Sequence, residues 1–193
     1  EHQLTPDDVT ETLFQRLADK LPEHSKVMLS QQYRMIRPIG DLISSCFYDG
    51  KLTSTREDGL SGYEMGYGKP VLWVDTASLG DSRRESVPQG KATSYANRAE
   101  ARALIDRLKI LNNALEHQVV KPRKDGEPLD VLVIAPYVSQ VAELKQQIAP
   151  LLSRLPHLAV TVMTVDAVQG RESDVALLSV TRSNDSGQLG FLG

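Results

Sequence analysis

Apolar positions along this chain come in two rhythms, and they alternate. Short continuous apolar runs stand at Lys26–Ser30, Val71–Val74, Val131–Ala135, Ala159–Val165 and Val175–Val180. Runs of this kind, bounded by polar turns, predict strands buried on both faces. Between them the spacing changes to that of a helix. Thr5-Pro6-Asp7-Asp8 reads as an N-cap, a proline in the first turn and acids beside the positive end of a helix dipole, opening a helix to about Lys20. Arg37–Phe47 places Ile39, Leu42, Ile43 and Cys46 on one face. Ser94–Leu115 carries Ala99, Ala103, Leu104, Leu108, Leu111 and Leu115 along one stripe. A further helix opens at Pro136, with Val141, Leu144, Ile148 and Leu152 spaced for burial. Residues 48–69 and 75–91 are polar, rich in Gly, Ser and charge, and predict loops or insertions; residues 119–128 read as a charged linker.

Strand and helix in alternation imply an α/β fold, a mainly parallel sheet with helices on both faces. A chain of 193 residues with 40% hydrophobic content is long enough to bury one sizeable core, and a single domain is expected. The net charge of −3 gives no global basic field, so nucleic-acid binding would have to come from groups concentrated in a groove. One cysteine, Cys46, excludes an internal disulfide framework and suits a reducing compartment. No apolar run reaches membrane-spanning length and the first residues lack a signal-peptide pattern, so an intracellular, soluble protein is expected.

In open α/β sheets ligands bind beyond the carboxyl ends of the strands. Three motif-like stretches fall there. Gln31-Gln32-Tyr33-Arg34-Met35 follows the first apolar run; a tyrosine face can stack on a base, and an arginine fork fits phosphate oxygens. Ala135-Pro136-Tyr137-Val138-Ser139-Gln140 opens a helix whose N-terminus, with Tyr and Gln side chains, can hold a phosphate backbone or a base. Thr164-Val165-Asp166-Ala167-Val168-Gln169-Gly170-Arg171-Glu172-Ser173-Asp174 joins two apolar strands through a polar turn, in which Gly170 permits close approach to the backbone and Glu172 can accept from ribose hydroxyls. Each stretch alone is equally an ordinary loop, with a Tyr that packs and an Arg paired to an acid.

In this order the three stretches resemble the second RecA-like domain of superfamily 1 helicases, within the group of the nonsense-mediated-decay RNA helicase and its DNA-helicase relatives. Phe47–Leu52, Ser94–Ala101, Ser179–Asn184 and Gly190-Phe191-Leu192 match the same pattern, so the resemblance spans about Leu13 to Leu192. It implies a RecA-like fold of the P-loop NTPase type, ATP with Mg²⁺ as cofactor and single-stranded DNA or RNA as partner. It gives Tyr33 the base and Arg34 the γ-phosphate, as an arginine finger. Glu172 takes the ribose, with Gly170 allowing close approach and Gln169 coupling nucleotide to strand; Thr164, Pro136, Tyr137 and Gln140 take the nucleic-acid backbone. Asp166 organises the turn, and Arg182 either supports the cleft or pairs with an acid.

The Gly-Lys pairs at Gly50, Gly68 and Gly90 are never followed by Ser or Thr, so the sequence has no phosphate loop, nor an Asp-Glu pair closing an apolar strand to hold Mg²⁺. In the family both belong to the first RecA-like domain, and a further Arg-rich motif follows Gly-Phe-Leu. The expectation is a monomeric helicase fragment, partnered by that first domain and inactive toward ATP alone. Two other readings remain: a non-catalytic nucleic-acid-binding or regulatory module, and the helicase part of a helicase–nuclease.

Overall fold

A computed structural model describes residues 13–56, 62, 69–90, 94–122, 124, 126–188 and 190. The chain forms two compact units, residues 1–58 and 59–193, taken here in turn.

In the first unit, helix α1 (Leu13–Lys20) precedes a β–α–β hand: strand β1 (Gln31–Ile36), helix α2 (Arg37–Phe47) and strand β2 (Thr53–Arg56), the two strands parallel. The part of the expected first helix before Leu13 lies outside the described residues. The expected strand at Lys26–Ser30 is instead irregular, and the strand falls one step later, on the polar run Gln31–Ile36. Pairing with β2 decides this, because a ladder partner overrides the apolar preference of Val27 to Leu29, which stand exposed. Helix α2 also buries a different face from the expected one. Gly40 and Ser44 are buried, whereas Leu42 and Cys46 are exposed. The reason is proximity: a Cβ on Gly40 would lie 1.8 Å from Ser54 Oγ, so only a small residue lets the helix lie this close to β2. Ser44 Oγ accepts from the Leu52 N–H at 3.0 Å and ties the return loop to the same helix.

The second unit holds a three-stranded parallel sheet in the order β4-β3-β5. Strand β3 (Leu129–Ala135) is central, flanked by β4 (Leu158–Thr164) and β5 (Val175–Leu178). Helix α3 (Arg98–Glu116) and helix α4 (Val138–Ile148) cover the face that carries Leu129, Val131 and Val133. Leu108, Leu111 and Leu144 are sealed from water at that interface, each stabilising the fold by roughly 1.5–3 kcal/mol. Ile105 joins the buried stripe of α3, against which the expected Leu104 packs partly buried, and Leu152 falls in a 3-10 turn (Ala149–Arg154) after α4 rather than on it. The sequence begins α3 at Ser94, but Asn97 caps it and Arg98 starts it. Likewise α4 starts at Val138, with Tyr137 as its N-cap residue.

Val71–Val74 belongs to no strand, and its side chains, Trp73 above all, are exposed. β5 ends at Leu178, short of the expected Val180. Within the polar stretch 75–91 the chain forms a 3-10 helix at Ala77–Arg83, then an antiparallel bridge from Ser86 to Ala96. At the end of α3, Val119 and Val120 donate to Ala114 O, and Val120 is buried, so the start of the expected linker belongs to the core. Among the described residues no helix is long and apolar enough to cross a membrane.

Candidate functional site

Tyr33 and Arg34 sit on a bulge. Gln32 pairs with Ser54 and Ile36 with Arg56, so Tyr33, Arg34 and Met35 together oppose Thr55 alone. Extra residues in one strand leave backbone groups without ladder partners and turn side chains outward. Gln32 answers for those groups: its Oε1 accepts from the N–H of Arg34 at 2.9 Å and of Met35 at 2.8 Å. Its Nε2 donates to Met35 O at 2.9 Å and to Ser54 Oγ at 2.7 Å. Arg56 closes the other side by donating to Arg34 O at 2.8 Å. The bulge therefore holds its shape with Tyr33, 68% exposed, and Arg34 both among the exposed residues.

In the second unit all three strands end at one edge. Thr164 pairs with Ala135, Pro136 and Tyr137 follow β3 directly, and Ser179 N–H donates to Ile134 O at 2.9 Å as β5 ends. Thr164, Pro136 and Tyr137 are half-buried there. From Thr164 the chain makes a 3-10 turn at Asp166–Val168 and crosses to β5 on the far side of β3. The crossing is anchored at the opposite edge, where Asp174 N–H donates to Asp130 O at 3.0 Å and Asp174 Oδ2 accepts from Asp130 N–H at 3.1 Å.

Gln169 and Gly170 are the two central residues of a type II turn. Gln169 has φ −51° and ψ 125°, Gly170 has φ +83°, and the Arg171 N–H donates to Val168 O at 2.9 Å. The second central position of this turn needs a positive φ, which is why glycine stands there. Nothing lies within 4 Å of where a Gly170 Cβ would be, so that side of the backbone is open. Gln169, Arg171 and Glu172 are exposed around it.

Gln140 is different. It is wholly buried, with its Oε1 accepting from Asn97 N–H at 2.6 Å and its Nε2 donating to Asn97 O at 3.1 Å and Ser179 Oγ at 3.0 Å. Its amide is committed inward and faces no solvent. Asn97 is equally buried: Oδ1 caps α3 by accepting from Glu100 N–H at 3.1 Å, and Nδ2 donates to Arg83 O at 2.9 Å and Thr181 O at 3.0 Å. Because Gln140 takes the Asn97 N–H, Glu100 is released from the reciprocal bond of a capping box. Its Oε2 accepts instead from Ser179 Oγ at 2.6 Å and Thr181 N–H at 2.8 Å. Those bonds hold Thr181 at φ +71°, a backbone state costing a β-branched residue about 1–3 kcal/mol.

Arg182 follows and turns inward. Its Cζ lies 4.1 Å from the centre of the Tyr95 ring, and Tyr95 meets Tyr137 edge to face at 5.3 Å. Its Nε is 3.0 Å from Glu85 Oε1, both side chains nearly sealed from water, but the N–H points off the line of a hydrogen bond. The contact is an ion pair only. Burial pushes the Arg182 guanidinium down, while its hydrogen bond to Tyr137 and the Glu85 charge more than reverse this and leave it raised. Burial pushes the Glu85 carboxyl up, but bonds from the Ser183 N–H, its own N–H and the Asn184 amide, with the Arg182 charge, hold it below the ordinary carboxylate value. Arg83 donates to Ser183 Oγ at 2.7 Å and Asp185 Oδ1 at 3.0 Å, and Arg84 also pairs with Asp185, so the polar stretch 81–85 is clasped to 182–185. Sequence patterns carry no signal for this clasp, whose partners lie about a hundred residues apart.

The parallel sheet with its helices defines an α/β class of domain, and sequence comparison makes the family explicit. The chain belongs to the AAA domain family, whose profile matches residues 9–193, and its relatives are superfamily 1 helicases. The chain is 30% identical to the "DNA polymerase alpha-associated DNA helicase A" of Schizosaccharomyces pombe, over 94% of the chain and 27% of that protein. It is 30% identical to the "ATP-dependent helicase NAM7" of Saccharomyces cerevisiae (94% of the chain, 18% of the relative) and to the "DNA-binding protein SMUBP-2" of Mus musculus (99% and 18%). The chain thus spans about a quarter or less of these relatives. The parallel sheet flanked by helices agrees with the RecA-like fold.

Proposed function

We propose that this chain is the second motor domain of an ATP-dependent helicase or translocase, which completes the ATP site of a first RecA-like domain and grips single-stranded DNA or RNA. The observation that carries this reading is the bulge at Tyr33-Arg34: a bonded frame that carries a tyrosine and an arginine as consecutive exposed residues. Tyr33 stacks on the nucleotide base. Arg34 brings positive charge to the γ-phosphate, where negative charge develops during phosphoryl transfer. Its exposed position fits that role, because an arginine finger must reach a ligand held elsewhere.

The type II turn serves the ribose side. Gly170 leaves the backbone open, Glu172 accepts from ribose hydroxyls, and Gln169 couples the nucleotide to the strand. These donors and acceptors fit ATP, which supplies when bound the phosphoryl group and the free energy of its hydrolysis; Mg²⁺ falls to the first RecA-like domain. Thr164, Pro136 and Tyr137 share one sheet edge, as a strand-binding rim requires. Gln140, sealed in the core, supports that rim from behind rather than touching the strand. Contacts of this kind are to backbone and stacked bases, so little sequence preference is expected. In this reading the chain alone does not turn over ATP.

The test is Arg34→Ala in the full-length protein. ATP turnover should fall by about 10³-fold or more, while affinity for a single strand changes little. Unchanged turnover would remove Arg34 from the ATP site and this reading with it.

A further inference from the structure

We infer that Gln140 is a positioning residue: from inside the core it sets the orientation of the Tyr137 ring, and so the grip on a single strand depends on an amide that touches no ligand. This rests on the reading of Tyr137 as a strand contact. Tyr137 is the N-cap residue of α4, and Gln140 lies on the first turn of that helix. Two chain segments hold both residues. The segment 95–97 supplies the Tyr95 ring to Tyr137 at 5.3 Å and the Asn97 backbone to both ends of the Gln140 amide. The segment 179–182 supplies Ser179 Oγ to Gln140 and Arg182 to the tyrosine cluster, with the Arg182 guanidinium over Tyr95.

The two holds are coupled through one strained residue. Thr181 lies between Ser179 and Arg182, and its positive φ reverses the chain so that Arg182 points back toward Tyr95. That conformation is retained by Glu100 and Asn97, which are bonded in turn to Ser179 and Gln140. Removing the Gln140 amide leaves the buried Asn97 N–H without its partner and takes one bond each from Asn97 O, which keeps the Ala101 N–H, and Ser179 Oγ, which keeps Glu100, and an orphaned buried group relaxes toward other bonds. The relaxation begins where Arg182 and Tyr95 hold the ring, while the Gln169–Glu172 turn lies on the crossing and shares none of these bonds. Gln140 should therefore act on strand affinity and leave the nucleotide side unaltered.

The experiment places 3-fluorotyrosine at position 137 of the full-length protein and records its fluorine resonance without nucleotide or nucleic acid. Gln140→Met, matched in volume but without hydrogen bonds, should shift the resonance or split it. Ser179→Ala, which removes the Ser179 bonds to Gln140 and to Glu100 but leaves the Asn97–Gln140 pair, should shift it too. If Gln140→Met fails to fold, Ser179→Ala decides. A resonance unmoved in every folded variant overturns the inference. In the unlabelled protein, Tyr137→Ala should weaken binding of a single strand about 10-fold, and Gln140→Met should do so several-fold with an unchanged KM for ATP. In the Tyr137→Ala background, Gln140→Met should weaken it no further. Additional weakening there overturns the positioning route but leaves the strand reading intact. A strand affinity unaltered by Tyr137→Ala overturns the strand reading, while the fluorine resonance still reports whether Gln140 sets the ring.

Discussion

Gly40→Ala is expected to disturb the candidate finger residue Arg34 from the buried side of the neighbouring helix. On an exposed helix this change stabilises by about 1 kcal/mol, because alanine loses less backbone freedom on folding. Here the new methyl carbon would stand 1.8 Å from Ser54 Oγ, 2.6 Å from Gln32 Nε2 and 3.0 Å from Ser54 Cβ. The Ser54 hydroxyl can rotate away, but doing so breaks its 2.7 Å bond from Gln32. Gln32 must then move as well, and Gln32 Oε1 is what holds the N–H groups of Arg34 and Met35. One lost hydrogen bond costs about 1 kcal/mol, and the residual overpacking about 1–3 kcal/mol. After the helix gain, net destabilisation of roughly 1–3 kcal/mol remains. Urea unfolding of the full-length protein measures it. Misplacing a finger by about an ångström costs up to 10²-fold in turnover, so ATP hydrolysis should fall well beyond the loss of folded protein. In a Ser54→Ala background, which lacks the nearest clashing atom, Gly40→Ala should cost distinctly less. A Gly40→Ala protein that is more stable than the parent and equally active, or whose cost is independent of Ser54, refutes the reasoning.

Other outcomes follow from the second unit. Glu172→Ala should raise the KM for ATP with strand affinity retained; an unchanged KM, read from steady-state hydrolysis, counts against the ribose role. Asn97→Asp keeps the cap acceptor but loses the donor to Arg83 O and Thr181 O, and should destabilise by about 2–4 kcal/mol in urea unfolding. The Glu85 carboxyl has a lower pKa folded than unfolded, so its stabilisation is full above the ordinary carboxylate value of 4.5 and is lost as pH falls through the lowered one. Glu85→Gln should accordingly flatten the acid limb of the melting temperature against pH, and an unaltered limb would place acid lability elsewhere.

Periodicity located the parts of this fold whose neighbours are near in sequence. β3, α4 and β4 follow one another as a β–α–β unit, and their apolar spacing predicted them within a few residues. It failed where the partner is distant. Lys26–Ser30 is more apolar than Gln31–Ile36, yet the latter is the strand, because β2 supplies its ladder and Gln32 stabilises the bulge. The small residues Gly40 and Ser44, four apart on α2, were the available signal for close helix–strand approach, and the apolar stripe beside them hid it. At the site, Gly170 was legible because a positive φ selects glycine. Arg182 was balanced between cleft and acid, and its partner Glu85 stands 97 residues away in a stretch that reads as a plain polar loop. Gln140 has a surface residue's chemistry, and only its bonds to Asn97 and Ser179 reveal that it is internal.

The crossing between β4 and β5 has more chain than its span demands. Thr164 faces Ala135 and Val175 faces Val131, on opposite flanks of β3. Four residues of strand rise and two strand spacings separate these ends by about 16 Å, whereas residues 165–174 drawn out would reach about 33 Å. Half the contour length is therefore slack, taken up in the 3-10 turn and in the type II turn at Gln169-Gly170. The shape of that stretch is set by its turns and by its bonds to β3 at Ala135 and Asp130, not by tension between the strands it joins. The strand ends thus leave that stretch room to be longer or shorter by several ångströms without being pulled out of register.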